Sequence, residues 1–296
     1  MSQTYRIALL QLQSKSLDVE DNYERATKLI SDAASQGAHL AVLPEYHLTS
    51  WVPDHPDFCS AIQKSSQYLS QYQTLAKTIN ISIVPGTICH VNKEAAGSLS
   101  QSSAGTEMVN IAYFIAAGTG EILSSYQKRN LWHPERPHLT AGHDPHRAFD
   151  LPLTREDGRK FRAGLLICWD LAFPEACRQL VADGADLIVV PSFWHLSDID
   201  LVGKMLNPSS EKIFLESVTV ARAYENTCAI ALCNSGGFSQ VAMPMLGCLG
   251  KLEPEMEATS IVDIDFDVLR IAETNYKIRE DMERSGWEYR GSTTEG

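Results

Sequence analysis

The chain has 296 residues, 44% of them apolar, and a formal net charge of −12. That length can bury a sizeable core, as one large domain or two small ones. The acidity argues against nucleic-acid binding, which needs clustered Lys and Arg, and no apolar run is long enough to cross a bilayer.

The seven cysteines, an odd number without paired spacing, read as free thiols in a reducing compartment. The N-terminal "MSQTYRIALLQLQ" lacks the basic start, apolar core and small-residue cleavage site of a signal peptide. A cytoplasmic protein is expected.

In chain order, "RIALLQL" (6–12) reads as a strand and "NYERATKLISDAASQG" (22–37) as a helix closed by Gly37. "LAVLPE" (40–45) is a second strand, residues 61–79 read as helical, and "ISIVPGTI" (81–88) returns to a strand. "VNIAYFIAA" (109–117) and "EILSSYQK" (121–128) flank "GTG", a hairpin signal. Then come strand 162–168, helix 171–183 ending at Gly184, strand 185–194, helix 211–225 and strand 227–233. "SIVDIDF" (260–266) is the last strand. Short strands alternating with helices predict an α/β fold, and the hairpins make its sheets mixed.

No Pro/Gly-rich linker divides the chain, so one domain over 1–296 is expected, with its core at about 5–266. "KEAAGSLSQSSAGTE" (93–107) reads as a mobile surface insertion. The charged and aromatic tail, 270–296, is expected either to stay loose or to dock on a neighbouring subunit.

Three apolar strands end in a reactive group: Glu45 after "LAVLP", Lys128 after "LSSYQ" and Cys168 after "GLLI". Singly, each has an ordinary reading, as a solvated loop residue or a core thiol. Cys168 stands out because a helical segment follows at once, with Pro174 suited to its first turn. A helix N-terminus favours a thiolate, and its free amides can bind an oxyanion.

Glu, Lys and Cys in this order, in "LPEYHLTSW", "YQKRNLW" and "ICWDLAFPEACR", resemble the nitrilase superfamily of carbon–nitrogen hydrolases. The likeness runs from about Tyr5 to Phe266. It implies an αββα two-sheet sandwich, commonly paired into a homodimer or larger homo-oligomer, and a second glutamate at Glu135. It also implies hydrolysis of a small amide or N-carbamoyl compound through a thioester on Cys168. Glu45 would be general base, and Lys128 with the Trp169 N–H would hold the oxyanion. The two carboxylates beside one ammonium should then differ in pKa.

Tyr46, Trp51, Trp132 and Trp194 fall beside these strand ends and are candidate pocket walls, with His133 near the substrate. The arginine that clamps a substrate carboxylate in N-carbamoyl amino acid relatives is missing, since Leu171 and Ala172 stand there. Arg129, Arg136 or His195 could supply that contact from another loop. Asp170, in "CWD", sets the motif apart from the Cys-Trp-Glu of true nitrilases, the enzymatic alternative. A catalytically silent binding protein is the alternative of another class. The spacing of His133, His138, His143 and His146 matches no compact zinc pattern, and no cofactor motif is found.

Overall fold

The computed structural model describes residues 4–92 and 107–284. The predicted 93–107 insertion, apart from its last residue, and the end of the tail lie outside the described residues.

The first half contains β1 (Thr4–Gln11), α1 (Val19–Ser35), β2 (Leu40–Val42), α2 (Phe58–Ser65), α3 (Tyr68–Ile79), β3 (Ser82–Val84), β4 (Thr87–Asn92), β5 (Glu107–Ile115) and β6 (Ile122–Gln127). The second contains β7 (Phe149–Thr154), β8 (Lys160–Leu165), α4 (Pro174–Ala182), β9 (Leu187–Ser192), α5 (Leu201–Leu206), α6 (Ser210–Asn226) and β10 (Ala229–Asn234). It closes with β11 (Gln240–Met243), β12 (Gly247–Leu249), β13 (Ala258–Asp265), α7 (Asp267–Tyr276) and α8 (Ile278–Glu283).

These strands form two mixed sheets. One runs β13-β1-β2-β3-β5-β4 with β6 on β5; the other runs β12-β11-β10-β9-β8-β7. Along β1 and β2 the faces alternate. Ile7, Leu9, Leu40 and Val42 join the core shared with β8, β9 and β10, whereas Ala8, Leu10, Ala41 and Leu43 pack with Ile30, Tyr72 and Ala76 of α1 and α3. On the outer side of the second sheet, Cys177 and Leu180 of α4 and Leu215 and Val218 of α6 complete the packing. Strands covered on both faces read as continuous apolar runs, which is why "ALL" and "LIVV" carry no alternation. The layers are those of the expected αββα sandwich.

Several expectations need correction. "ISIVPGTI" is two strands, because Pro85 offers no N–H to a ladder and Gly86 takes the left-handed φ of 56°. The helix expected at 61–79 is α2 plus α3. The helix expected at 171–183 is a 3-10 turn, Cys168–Ala172, followed by α4. Phe173 between them is extended, as a residue before proline prefers. Strands β7, β11 and β12 and helices α5, α7 and α8 were not anticipated. In the described part of the tail, Arg279 Nη2 donates to Ala185 O (2.7 Å) and Thr227 O (2.9 Å).

Candidate active site

Glu45, Lys128 and Cys168 follow β2, β6 and β8, strands from both sheets that end at one edge of the sandwich. Across that edge the Glu45 N–H donates to Ser192 O (3.3 Å), and the Phe193 N–H returns a bond to Glu45 Oε2 (3.1 Å). The loop carrying Glu45 is held against Gly86, where a Cβ would stand 1.8 Å from Pro44 O. Only glycine fits there.

Lys128 Nζ donates to Glu45 Oε1 (2.8 Å) and to Glu135 Oε1 (2.7 Å), with all three side chains almost wholly buried. Asn110 Nδ2 donates to Glu45 Oε1 (2.9 Å). Glu135 also accepts from the Tyr46 hydroxyl (2.5 Å) and the Trp132 N–H (2.8 Å). One ammonium thus sits between two carboxylates in a buried site, where Coulomb interactions are strong. Burial pushes Glu45 up to about 7, with Lys128 pulling it down and the Glu135 charge adding to the rise. Burial alone would lower Lys128, but Glu45 and Glu135 outweigh it and hold the amine above its ordinary value.

Cys168 is 7% exposed and has a φ of 45°; Tyr46, on the facing loop, has a φ of 53°. Such left-handed backbone at ordinary residues costs about 1–3 kcal/mol each and persists where surrounding structure imposes it. Next to Cys168, in the same turn, stands Asp170, fully buried. Its Oδ2 accepts from the Ile167 N–H (3.0 Å) and the Tyr126 hydroxyl (2.8 Å). Its Oδ1 accepts from Asn130 N (2.9 Å) and Asn130 Nδ2 (2.8 Å). Asp170 therefore ties the turn bearing Cys168 to the segment that follows Lys128.

The α-helix proper begins only at Pro174, so the amides nearest Cys168 belong to the 3-10 turn. Nor does the thiol rest as a thiolate. Burial and then the negative charge of Glu45 push it well above its ordinary value, while Lys128 opposes them. Such a cysteine needs an adjacent base, and Glu45 is placed to be one.

Cys168 opens into a cavity of about 270 Å³ lined by Trp132, Trp169, Ala172, Phe193, Trp194, Asp198, Ser210, Glu211 and Phe214. Of the predicted wall residues, Trp132, Trp169 and Trp194 are there. Tyr46 lies beneath, stacked on Trp51 with ring centroids 4.8 Å apart. Trp51 in turn packs edge-on against Phe58 and does not line the cavity. His133 is exposed and touches Trp132 with its ring, outside the lining. The His195 ring packs on Phe193, its backbone N–H bonding Asp198 Oδ2 (2.8 Å), and neither it nor Arg129 or Arg136 lines the cavity. The basic contact expected from these three is thus not found among the described residues.

Asn110, Phe193, Asp198 and Glu211 were missed. Asn110 had a signal, being the polar residue inside "VNIAYFIAA"; Phe193 in the predicted strand 185–194, Glu211 at the start of the predicted helix 211–225 and Asp198 between them carried no mark of function.

Residues 6–273 match the family model for carbon–nitrogen hydrolases. The chain is 27% identical to human omega-amidase NIT2 over 289 residues, 93% of each protein. It is 28% identical to a nitrilase of Pyrococcus abyssi over 190 residues, 63% of this chain and 64% of that protein. A similar solved structure is an amidase from Nesterenkonia sp. AN1 with the acetamide moiety of fluoroacetamide covalently added at its active-site cysteine. It is 26% identical, has a TM-score of 0.68, and the match covers 92% of this chain and 96% of that one. With a matching two-sheet fold and amidase relatives, the chain belongs to the carbon–nitrogen hydrolase family and is a hydrolase of the nitrilase superfamily.

Proposed function

We propose that this protein hydrolyses the C–N bond of a small amide, with Cys168 as nucleophile, Glu45 as general base and acid, and Lys128 as electrostatic partner of the oxyanion. One observation carries the reading: Cys168, which lines the cavity, has as its buried neighbour Glu45, a carboxylate raised to about 7 that is bonded in turn to the buried ammonium of Lys128.

In the first half-reaction Glu45 takes the thiol proton as Sγ bonds the carbonyl carbon. The carbonyl oxygen becomes an oxyanion beside Lys128 Nζ and the Trp169 N–H. As the tetrahedral centre collapses, the C–N bond breaks and Glu45 returns its proton to nitrogen, releasing ammonia or an amine. In the second half-reaction Glu45 deprotonates a water that attacks the thioester. The acid departs, and Cys168 recovers its proton from Glu45. Glu135, bonded to Lys128, Tyr46 and the Trp132 N–H, holds the ammonium in place throughout.

The nitrilase relative and the N-carbamoyl alternative are separated by product. The test is an ammonia-release screen over simple amides, N-carbamoyl compounds and nitriles, with Cys168→Ala as blank. Turnover of amides by the wild type alone is expected, with Cys168→Ala folded and inert. A Cys168→Ala protein that retains most of the activity would overturn the mechanism.

A further inference from the structure

The cavity above Cys168 has aromatic walls and two carboxylates, and no Lys, Arg or His lines it among the described residues. Trp194 organises one wall. Its ring packs against Trp169, next to the cysteine, at 5.1 Å and against Phe214 at 5.1 Å. Its indole N–H donates to Glu211 Oε2, which fixes that carboxylate at the first turn of α6. Asp198 comes from the loop between β9 and α5, held through Oδ2 by the His195 N–H.

Neither carboxylate has a Lys or Arg nitrogen within 4.0 Å among the described residues. Burial raises the Asp198 pKa, and the nearby Glu211 charge adds to it. His195 supplies no full charge in compensation near pH 7, because burial lowers its own pKa. Lys204 acts on Asp198 from a distance, but its Nζ lies 3.5 Å from Ser197 O and it does not line the cavity. Partly buried anions left without a counter-ion favour whichever ligand brings one. Aromatic faces beside them add cation–π attraction.

We propose that the cavity selects small amides that carry a cationic group, an ammonium or guanidinium, held by Glu211 and Asp198 against the Trp194–Phe214 wall. This rests on the amide-hydrolysis reading above and names the substrate class for it. The volume, about 270 Å³, accommodates roughly nine non-hydrogen atoms at the ~30 Å³ each water takes in the liquid. A short ω-amino amide fits that limit. An ω-amide carrying a free carboxylate would set its anion against the same two carboxylates.

The test compares three amides of matched length: 4-aminobutanamide, the neutral pentanamide and the anionic succinamate. The wild-type enzyme is expected to show a kcat/KM for the ammonium compound about tenfold or more above the neutral one, as charge-assisted bonds allow. The anionic compound should be the poorest of the three. Added salt should raise KM for the ammonium compound selectively. Glu211→Gln keeps an acceptor for the Trp194 indole and should cut the ammonium-to-neutral ratio by about tenfold; Asp198→Asn is the second variant and should move the ratio the same way. A neutral or anionic amide preferred by the wild type would overturn the assignment while leaving amide hydrolysis intact. Failure to hydrolyse any of the three, with Cys168 inert to iodoacetamide, would overturn the amidase reading itself.

Discussion

Replacing Asp170 by asparagine changes one atom, yet Asp170 joins the two halves of the candidate site. Its oxygens accept four hydrogen bonds, from Ile167 N, the Tyr126 hydroxyl, Asn130 N and Asn130 Nδ2, at 2.8 to 3.0 Å. Ile167 immediately precedes Cys168, and Asn130 stands just beyond Lys128. In Asp170→Asn one acceptor oxygen becomes an NH₂ group that must face a fixed backbone donor, the Ile167 N–H or the Asn130 N–H. Turning the amide over only exchanges which of the two is opposed. Hydrogen bonds to a charged group contribute about 1.5–3 kcal/mol, and an opposed buried donor costs about 1–3 kcal/mol. A net loss of about 2–4 kcal/mol of stability is expected, read as a shift in the urea midpoint. Far below the unfolding temperature the variant should also lose roughly 100-fold in kcat and in the rate at which iodoacetamide alkylates Cys168, the typical consequence of a displacement near 1 Å. Asn130→Ala, which removes only the side-chain bond, should fall between wild type and Asp170→Asn on both scales. An Asp170→Asn protein within about 0.5 kcal/mol of wild type, with an unaltered alkylation rate, would refute the idea that this carboxylate aligns the thiol with the ammonium.

The alkylation rate of Cys168 should rise with pH through an apparent value of about 7 and then level off, because Glu45 must lose its proton to act as base and its folded pKa is raised to about that value. Glu45→Gln should lack that rising limb, which stopped-flow alkylation across pH 5 to 9 can check. Lys128→Met should destabilise the fold by about 3–5 kcal/mol, since it leaves Glu45 and Glu135 buried together without a cation. Glu45, already raised to about 7, loses the one cation that lowers it, so the deficit should shrink at low pH, where its carboxyl is protonated, and grow as pH rises; urea titrations at pH 5 and pH 8 would measure it. Gly86→Ala should move the Glu45 loop, because the added Cβ meets Pro44 O at 1.8 Å from a left-handed backbone. A loss of kcat well beyond the loss of stability is the expected readout, and an unchanged kcat would show that the loop tolerates the displacement.

Much of the architecture could be read from residue order because its causes are local. An unbroken apolar run such as "LIVV" has to be covered on both faces, and "GTG" between two such runs makes the β5–β6 hairpin with Gly118 and Gly120 at positive φ. Glu45, Lys128 and Cys168 were visible for the same reason, as charged or nucleophilic groups at the ends of apolar strands. Where prediction slipped, a local rule was overlooked: Pro85 and Gly86 split one run into β3 and β4, and Pro174 held Phe173 extended and delayed α4.

Distances across the chain decide the rest. Nothing in "YQKRN" and "ICWD" states that Asp170 will accept bonds from Asn130 and Tyr126, since those contacts exist only once β6 and β8 end side by side. The same is true of protonation. A helix-like segment after Cys168 suggested a thiolate, but desolvation and the approach of Glu45 reverse that expectation, and both depend on burial in three dimensions. The acidic lining of the cavity, Asp198 from a loop and Glu211 from the first turn of α6, is likewise a product of packing. Periodicity and turn chemistry act between neighbours and are legible in order; charge pairing, desolvation and cavity shape act through space and become legible only in the fold.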